Sequence, residues 1–117
     1  MTKTEKQIMQ ILWENENPLC AADIIESSDM KEITVRTTLA NMLQKELIRV
    51  EGMVHRTKSY ARAFVANVSP EDLVCKEILE CKYTTVLQVS KYVIENLLSN
   101  EEVKEIQTLI KEKCTID

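Results

Sequence analysis

The sequence predicts a mainly α protein with a small β wing: a winged helix-turn-helix followed by a C-terminal helical dimerisation arm. Three observations predict it. Residues 34–46 combine an apolar stripe at helical spacing with a short, polar opposite face. Two runs rich in β-formers follow, with a basic tip between them. Residues 70–117 then hold apolar side chains at helical spacing, and no glycine or further proline interrupts them.

The elements follow in order. Thr4-Glu5-Lys6-Gln7 reads as a capping box that opens a helix carrying Ile8, Met9, Ile11, Leu12 and Trp13. Pro18 stops this helix near Asn17, and Leu19-Cys20 is an apolar pair fit for one short strand. Residues 21–26 form a short second helix, and Ser27-Ser28-Asp29 a turn. Thr34 is the expected N-cap of the third helix, because its hydroxyl can accept a first-turn N–H. Val35, Leu39, Met42, Leu43 and Leu47 make the buried stripe. The opposite face presents Thr34, Thr37, Ala40, Asn41 and Gln44, with Arg36 and Lys45 on its flanks.

That face contains no carboxylate and no bulky apolar group. A DNA major groove requires such a surface, since phosphate repels carboxylates and base edges need hydrogen-bonding partners. Arg36 and Thr37 are expected to read or position the groove, and Asn41 to read a base, with adenine its natural bidentate partner. After the helix, residues 48–55 form one strand. In the next, Tyr60, Arg62, Phe64 and Ala66 alternate with Ala61, Ala63 and Val65. The turn His55-Arg56-Thr57-Lys58-Ser59 joins them. Arg56 and Lys58 are expected to meet phosphate or the adjacent minor groove. Three helices and a basic-tipped hairpin in this order point to double-stranded DNA as the partner.

Ser69-Pro70-Glu71-Asp72 starts the second half: a cap, a proline at the first helical position, and two acids at the positive helix end. Three short helices follow, running to about Lys82, from Val86 to Leu98, and from Ser99 onward. Their apolar positions include Val74, Ile78, Val89, Val93, Leu97, Val103, Ile106, Leu109 and Ile110. So small a bundle cannot bury them all well by itself, and a second copy of the chain is the expected remedy. The expected domains are residues 1–68, a winged helix for DNA, and 69–117, a helical homodimerisation domain.

The net charge is −4, but the charges are segregated. Residues 34–66 hold six basic side chains against Glu46 and Glu51, and residues 70–117 hold six lysines against ten acids. A basic half can attract phosphate while an acidic half limits indiscriminate binding. Cys20, Cys75, Cys81 and Cys114 show no CxxC or CxC spacing, and His55 is the single histidine, so no metal site is expected. All four cysteines are expected to be reduced, partly buried small apolar residues of a cytosolic protein. One glycine leaves no phosphate-cradling loop, and no nucleophile–base pair or acidic dyad is evident. The expectation is a cytoplasmic non-enzyme that needs no cofactor and inserts into no membrane, for the N-terminus lacks an apolar signal region and no apolar run approaches a membrane span.

With these residues in view, the chain resembles the penicillinase-repressor (BlaI/MecI-type) family. The resemblance lies in Thr34-Val35-Arg36-Thr37-Thr38-Leu39 through Lys45-Glu46-Leu47-Ile48, in the Glu5 to Trp13 opening, in Ala61-Arg62-Ala63-Phe64-Val65, and in Leu98 to Ile106. It covers nearly the whole chain, in order. It implies a dimeric winged-helix repressor of β-lactamase or related resistance genes. It also implies release by proteolysis in the dimerisation region, triggered by a membrane-bound sensor protease that signals β-lactam. Thr34, Arg36, Thr37 and Asn41 fall at the family's DNA-contact positions, with Asn41 where a basic residue is frequent. Counting back from Leu98, the family's cut corresponds to Lys91–Tyr92, where the aromatic is kept and the asparagine before it is not. Val89-Ser90-Lys91-Tyr92-Val93 reads as a segment between two helix-forming stretches. The span Arg49 to Tyr60 is long for the family's wing, and Cys114 alone does not match the paired CxC motifs of its copper-responsive branch.

Two other functions fit the same residues. One is a ligand- or redox-sensing winged-helix regulator released without cleavage. The other is a winged-helix module that binds protein, which would lack the steep salt dependence of DNA binding.

Overall fold

The computed structural model describes residues 1–56 and 59–115. Its elements are α1 (Lys3–Glu14), α2 (Ala21–Glu26), α3 (Glu32–Gln44), β1 (Ile48–Arg56), β2 (Ser59–Ala66), α4 (Pro70–Glu80), α5 (Val86–Asn96) and α6 (Asn100–Cys114). The chain divides into two compact units, residues 1–73 and 74–117. The first is a three-helix cluster with a two-stranded wing. Its core joins Ile8, Met9 and Leu12 of α1, Ile24 of α2, Val35, Leu39 and Met42 of α3, and Leu47, Ile48 and Phe64 beside them.

Helix α1 starts earlier than its sequence suggests. The capping box is Thr2 with Glu5, not Thr4 with Gln7: the Thr2 hydroxyl accepts the Glu5 N–H at 3.1 Å, and Glu5 accepts the Thr2 N–H at 2.9 Å. The earlier start places Glu5 inside the helix, on the same buried stripe as Ile8, Met9 and Leu12. At the far end of α1, the Trp13 indole N–H donates to the Val68 carbonyl at 2.9 Å, so the chain entering α4 is tied to this helix.

Helix α3 also begins before its expected cap. Its N-cap is Lys31, which makes no side-chain cap bond, and Thr34 lies within the first turn. Magnitudes explain the choice. A threonine cap contributes about 1 kcal/mol, whereas burying one large apolar side chain contributes about 1.5–3 kcal/mol. Starting at Glu32 sets Met30 and Val35 in the positions of a hydrophobic staple, and both pack with the core. The helix ends in a Schellman turn: the Leu47 N–H reaches the Met42 carbonyl at 3.0 Å, and the Glu46 N–H reaches the Leu43 carbonyl at 3.1 Å. This turn requires a left-handed residue, and Glu46 supplies it at φ 63°. Asn67 braces the corner from outside, donating from its backbone to Leu47 O at 2.9 Å and from its side chain to Glu46 O at 3.0 Å.

The wing strands pair antiparallel, with Val50 opposite Phe64, Met53 opposite Arg62, and His55 opposite Tyr60. The register shifts between Val50 and Met53, and Gly52 takes the left-handed conformation there at φ 88°. Leu19 forms the single strand-like bridge expected of it, pairing with Phe64 through N–H···O bonds of 3.1 and 2.8 Å. The base of β2 is therefore flanked on both edges. Ala63 and Phe64 are both buried there.

The helices of the second half are capped independently. Ser69 and Asp72 exchange bonds of 3.0 Å, the Thr85 hydroxyl accepts the Gln88 N–H at 3.2 Å, and Ser99 with Glu102 forms a complete capping box. Helix α6 carries Glu101 and Glu102 in its first turn and Lys111 and Lys113 in its last, matching its dipole. None of α4, α5 or α6 has a buried residue. Val89 to Val93 does not separate two helices but lies within α5, because Thr85 caps the helix upstream and no breaker follows before Leu97.

The strained corner gives a stability prediction. Glu46→Gly removes the Cβ from a left-handed position and should stabilise the winged helix by about 1 kcal/mol. Chemical denaturation reads this as a higher midpoint at unchanged slope.

Candidate nucleic-acid interface

The outward face of α3 is built by what its inward face buries. Val35 and Met42 are 0 % exposed and Leu39 3 %. Opposite them Arg36, Thr37, Ala40, Asn41 and Gln44 are exposed, while Thr34 is half-buried. The structure thus brings together all five residues expected to read a groove from this helix: Thr34, Arg36, Thr37, Asn41 and Gln44. One feature of the face differs from the sequence expectation. The earlier helix start adds Glu32, whose carboxylate accepts from Arg36 Nε at 3.0 Å. Both partners are well exposed, so this (i, i+4) pair is weak and open to exchange.

The two remaining described cations of the expected site are held by the protein's own acids. Lys45 Nζ donates to Glu5 Oε2 at 2.9 Å, joining the end of α3 to the start of α1. The Glu5 side chain is 3 % exposed and that of Lys45 54 %. Burial pushes the Glu5 carboxyl up, but the hydrogen bonds from Thr2 and Lys45 outweigh it and hold it below the ordinary glutamate range. Arg56 donates from Nη1 to Asp23 and from Nη2 to Glu26, both at 3.1 Å. Glu26 foremost favours the charged guanidinium, through its hydrogen bond and its charge. Asp23 is itself fixed by Cys20, accepting its N–H at 3.0 Å and its thiol at 3.2 Å. Lys58 lies outside the described residues. The sequence does carry a signal for these pairs: residues 1–33 hold three lysines against seven acids, an excess the basic half can meet.

Between α3 and the wing lies an open groove of about 570 Å³. Arg36, Leu39 and Ala40 line it from the helix, and Met53, Tyr60, Arg62 and Phe64 from the wing. The cross-strand register puts Met53 beside Arg62 and His55 beside Tyr60, and the latter rings meet edge to face at 4.9 Å. The Arg62 guanidinium sits 5.5 Å from the centre of the Phe64 ring. Sequence reasoning placed Arg62 on a strand but did not count it among DNA contacts. Its signal was the alternation that sets it two residues from Phe64.

The arm residues expected at a dimer interface are accessible in the single chain. Val74, Leu97, Leu109 and Ile110 are exposed, and Ile78, Val89, Val93, Val103 and Ile106 are half-buried. Lys91 and Tyr92 are exposed and sit mid-helix in α5. Among the described residues, no group of three or more His, Cys, Asp or Glu is arranged to hold a metal ion, and no helix is long and apolar enough to cross a membrane.

The family described as penicillinase repressor matches residues 1–112. Curated proteins yield no match. Solved structures similar to this chain include two mutants of MepR from multidrug-resistant S. aureus clinical isolates. One has a TM-score of 0.52 at 16% identity, covering 98% of this chain and 78% of that one. The other has a TM-score of 0.50 at 15% identity, covering 97% and 78%. At these identities the likeness is one of fold.

The Glu5–Lys45 pair predicts a pH-dependent cost. Lys45→Ala should destabilise the protein by about 1 kcal/mol at neutral pH, less than a fully buried pair because water can reach the vacated side. The Glu5 pKa is depressed in the folded state, so the stability it contributes is complete above its unfolded value of about 4.3 and is lost as pH falls below it. Denaturant titrations of both proteins should therefore converge as the pH falls below the ordinary glutamate range and Glu5 becomes protonated in the folded state.

Proposed function

The chain belongs to the penicillinase repressor family, and we propose that it represses transcription by binding a pseudo-palindromic operator as a homodimer, with α3 in the major groove. Membership makes it a winged-helix DNA-binding transcriptional regulator. The observation that carries the finer reading is the α3 face: five groove-facing candidates stand opposite a stripe that is almost completely buried. A helix so anchored can present its polar side chains at fixed positions, which base readout requires. The exposed apolar residues of α4 to α6 supply the second half of the mechanism. Joining two weak half-site binders through such a surface raises affinity by effective concentration, without new base contacts. The resistance genes implied by the family resemblance are the proposed targets.

The test of readout is Asn41→Ala. Loss of a bidentate base contact costs about 1–3 kcal/mol of discrimination. Selection from random duplexes should show relaxed preference at one position in each half-site. An unchanged profile would remove Asn41 from the reading set.

For release from DNA, the setting of Lys91–Tyr92 favours a route without cleavage, by a small ligand or by oxidation of the exposed thiols of Cys75, Cys81 or Cys114. The bond lies within α5, where Ser90 Oγ donates to Val86 O at 2.8 Å and Asn96 Nδ2 to Tyr92 O at 3.0 Å. Proteolysis there requires α5 to open first. The proteolytic route, served by a membrane sensor protease, is the alternative. Mass spectrometry of the protein from β-lactam-treated cells separates them. Derepression with an intact chain supports release without cleavage; fragments meeting at Lys91–Tyr92 support proteolysis.

A further inference from the structure

The wing offers DNA a different arginine from the one its tip advertises. Arg56 has both guanidinium nitrogens Nη1 and Nη2 on carboxylates of α2. A phosphate approaching it would have to displace two charge-assisted hydrogen bonds. Arg62 is exposed, and among the described residues it pairs with no carboxylate; its guanidinium rests beside the Phe64 ring. It faces the groove that Arg36 lines from the other side. Every residue lining this groove is neutral or basic. Its helix wall is continuous with the groove-reading face of α3.

We infer that this groove receives one strand of the DNA backbone, with Arg62 as the wing's phosphate contact opposite Arg36, while Arg56 anchors the wing to α2. The inference rests on the proposed DNA-binding function and assigns a contact within it. Geometry and charge act together. A strand leaving the major groove occupied by α3 passes next over the wing, where the groove provides two guanidinium groups and no opposing carboxylate on its walls. Arg36 can exchange its solvent-exposed partner Glu32 for phosphate at little cost. Ser59 and Tyr60 add hydroxyls to the same lining and suit phosphate oxygens. The Asp23–Arg56–Glu26 bonds keep the hairpin against α2, so the groove holds its shape before DNA arrives.

The test uses the full-length protein and a mixed-sequence duplex, with affinity measured across a range of salt. Each lost phosphate contact makes the slope of log K against log salt shallower by about 0.9. Arg62→Gln should show this change. Over a fourfold rise in salt it should therefore lose about 3.5-fold less affinity than the unsubstituted protein. Arg62→Lys should keep the original slope, because the charge remains. Arg56→Gln should also keep it. An original slope in Arg62→Gln overturns the assignment, as does an equal slope change in Arg62→Lys, which would mark packing against Phe64 as the role. Should Arg62→Gln fail to fold, as read by circular dichroism, Arg56→Gln decides: an unchanged slope supports the assignment and a slope shallower by one contact overturns it. Failure of the unsubstituted protein to bind the duplex would instead sink the DNA-binding reading itself, and is visible before any substitution is made.

Discussion

Val35, Leu39 and Met42 leave water almost completely when α3 packs on α1, α2 and the base of the wing. At about 1.5–3 kcal/mol for each such side chain, this burial outweighs the local preferences of the helix ends. It overrides the Thr34 cap, draws the helix start back to Glu32, and places Glu46 in a left-handed turn. It also sets the rotation of α3 about its axis. Once the stripe faces inward, Arg36, Thr37, Asn41 and Gln44 have no direction left but outward. The candidate nucleic-acid face follows from the core, and its rigidity follows from the same contacts.

The charges are allocated by tertiary pairing. Three acids from the first two helices, Glu5, Asp23 and Glu26, engage Lys45 and Arg56. These pairs tie distant elements of the winged helix together. One fixes the end of α3 to the start of α1, and the other holds the wing to α2. Any phosphate that approached Lys45 or Arg56 would compete with these internal carboxylates. A count of basic residues along the chain therefore overstates the positive surface available to DNA.

The C-terminal helices are organised on a different principle. They are defined locally, by caps at Ser69, Thr85 and Ser99 and by dipole-matched ends in α6. Yet they bury no residue completely, and Leu97, Leu109 and Ile110 remain well exposed. Secondary structure is thus complete before the apolar surface has found its cover. Such a surface suits association between copies of the chain.

Much of the fold is legible in the sequence because its signals are local. The 3.6-residue period of Val35, Leu39 and Met42, the strand run from Tyr60 to Ala66 and the Ser69 and Ser99 caps each concern neighbours along the chain, whereas α1 ends at Glu14, before the stop near Asn17 that Pro18 suggests. The polar α3 face was legible for the same reason. The sequence by itself determined which elements form, in what order, and which side of α3 is polar. Tertiary structure decided which charged groups are free. Glu5 meets Lys45 from 40 residues away, and Asp23 meets Arg56 from 33. Arg62 becomes a groove residue only when β2 lies beside α3. No local period encodes these meetings, because each depends on two distant segments being brought together by the burial of other side chains.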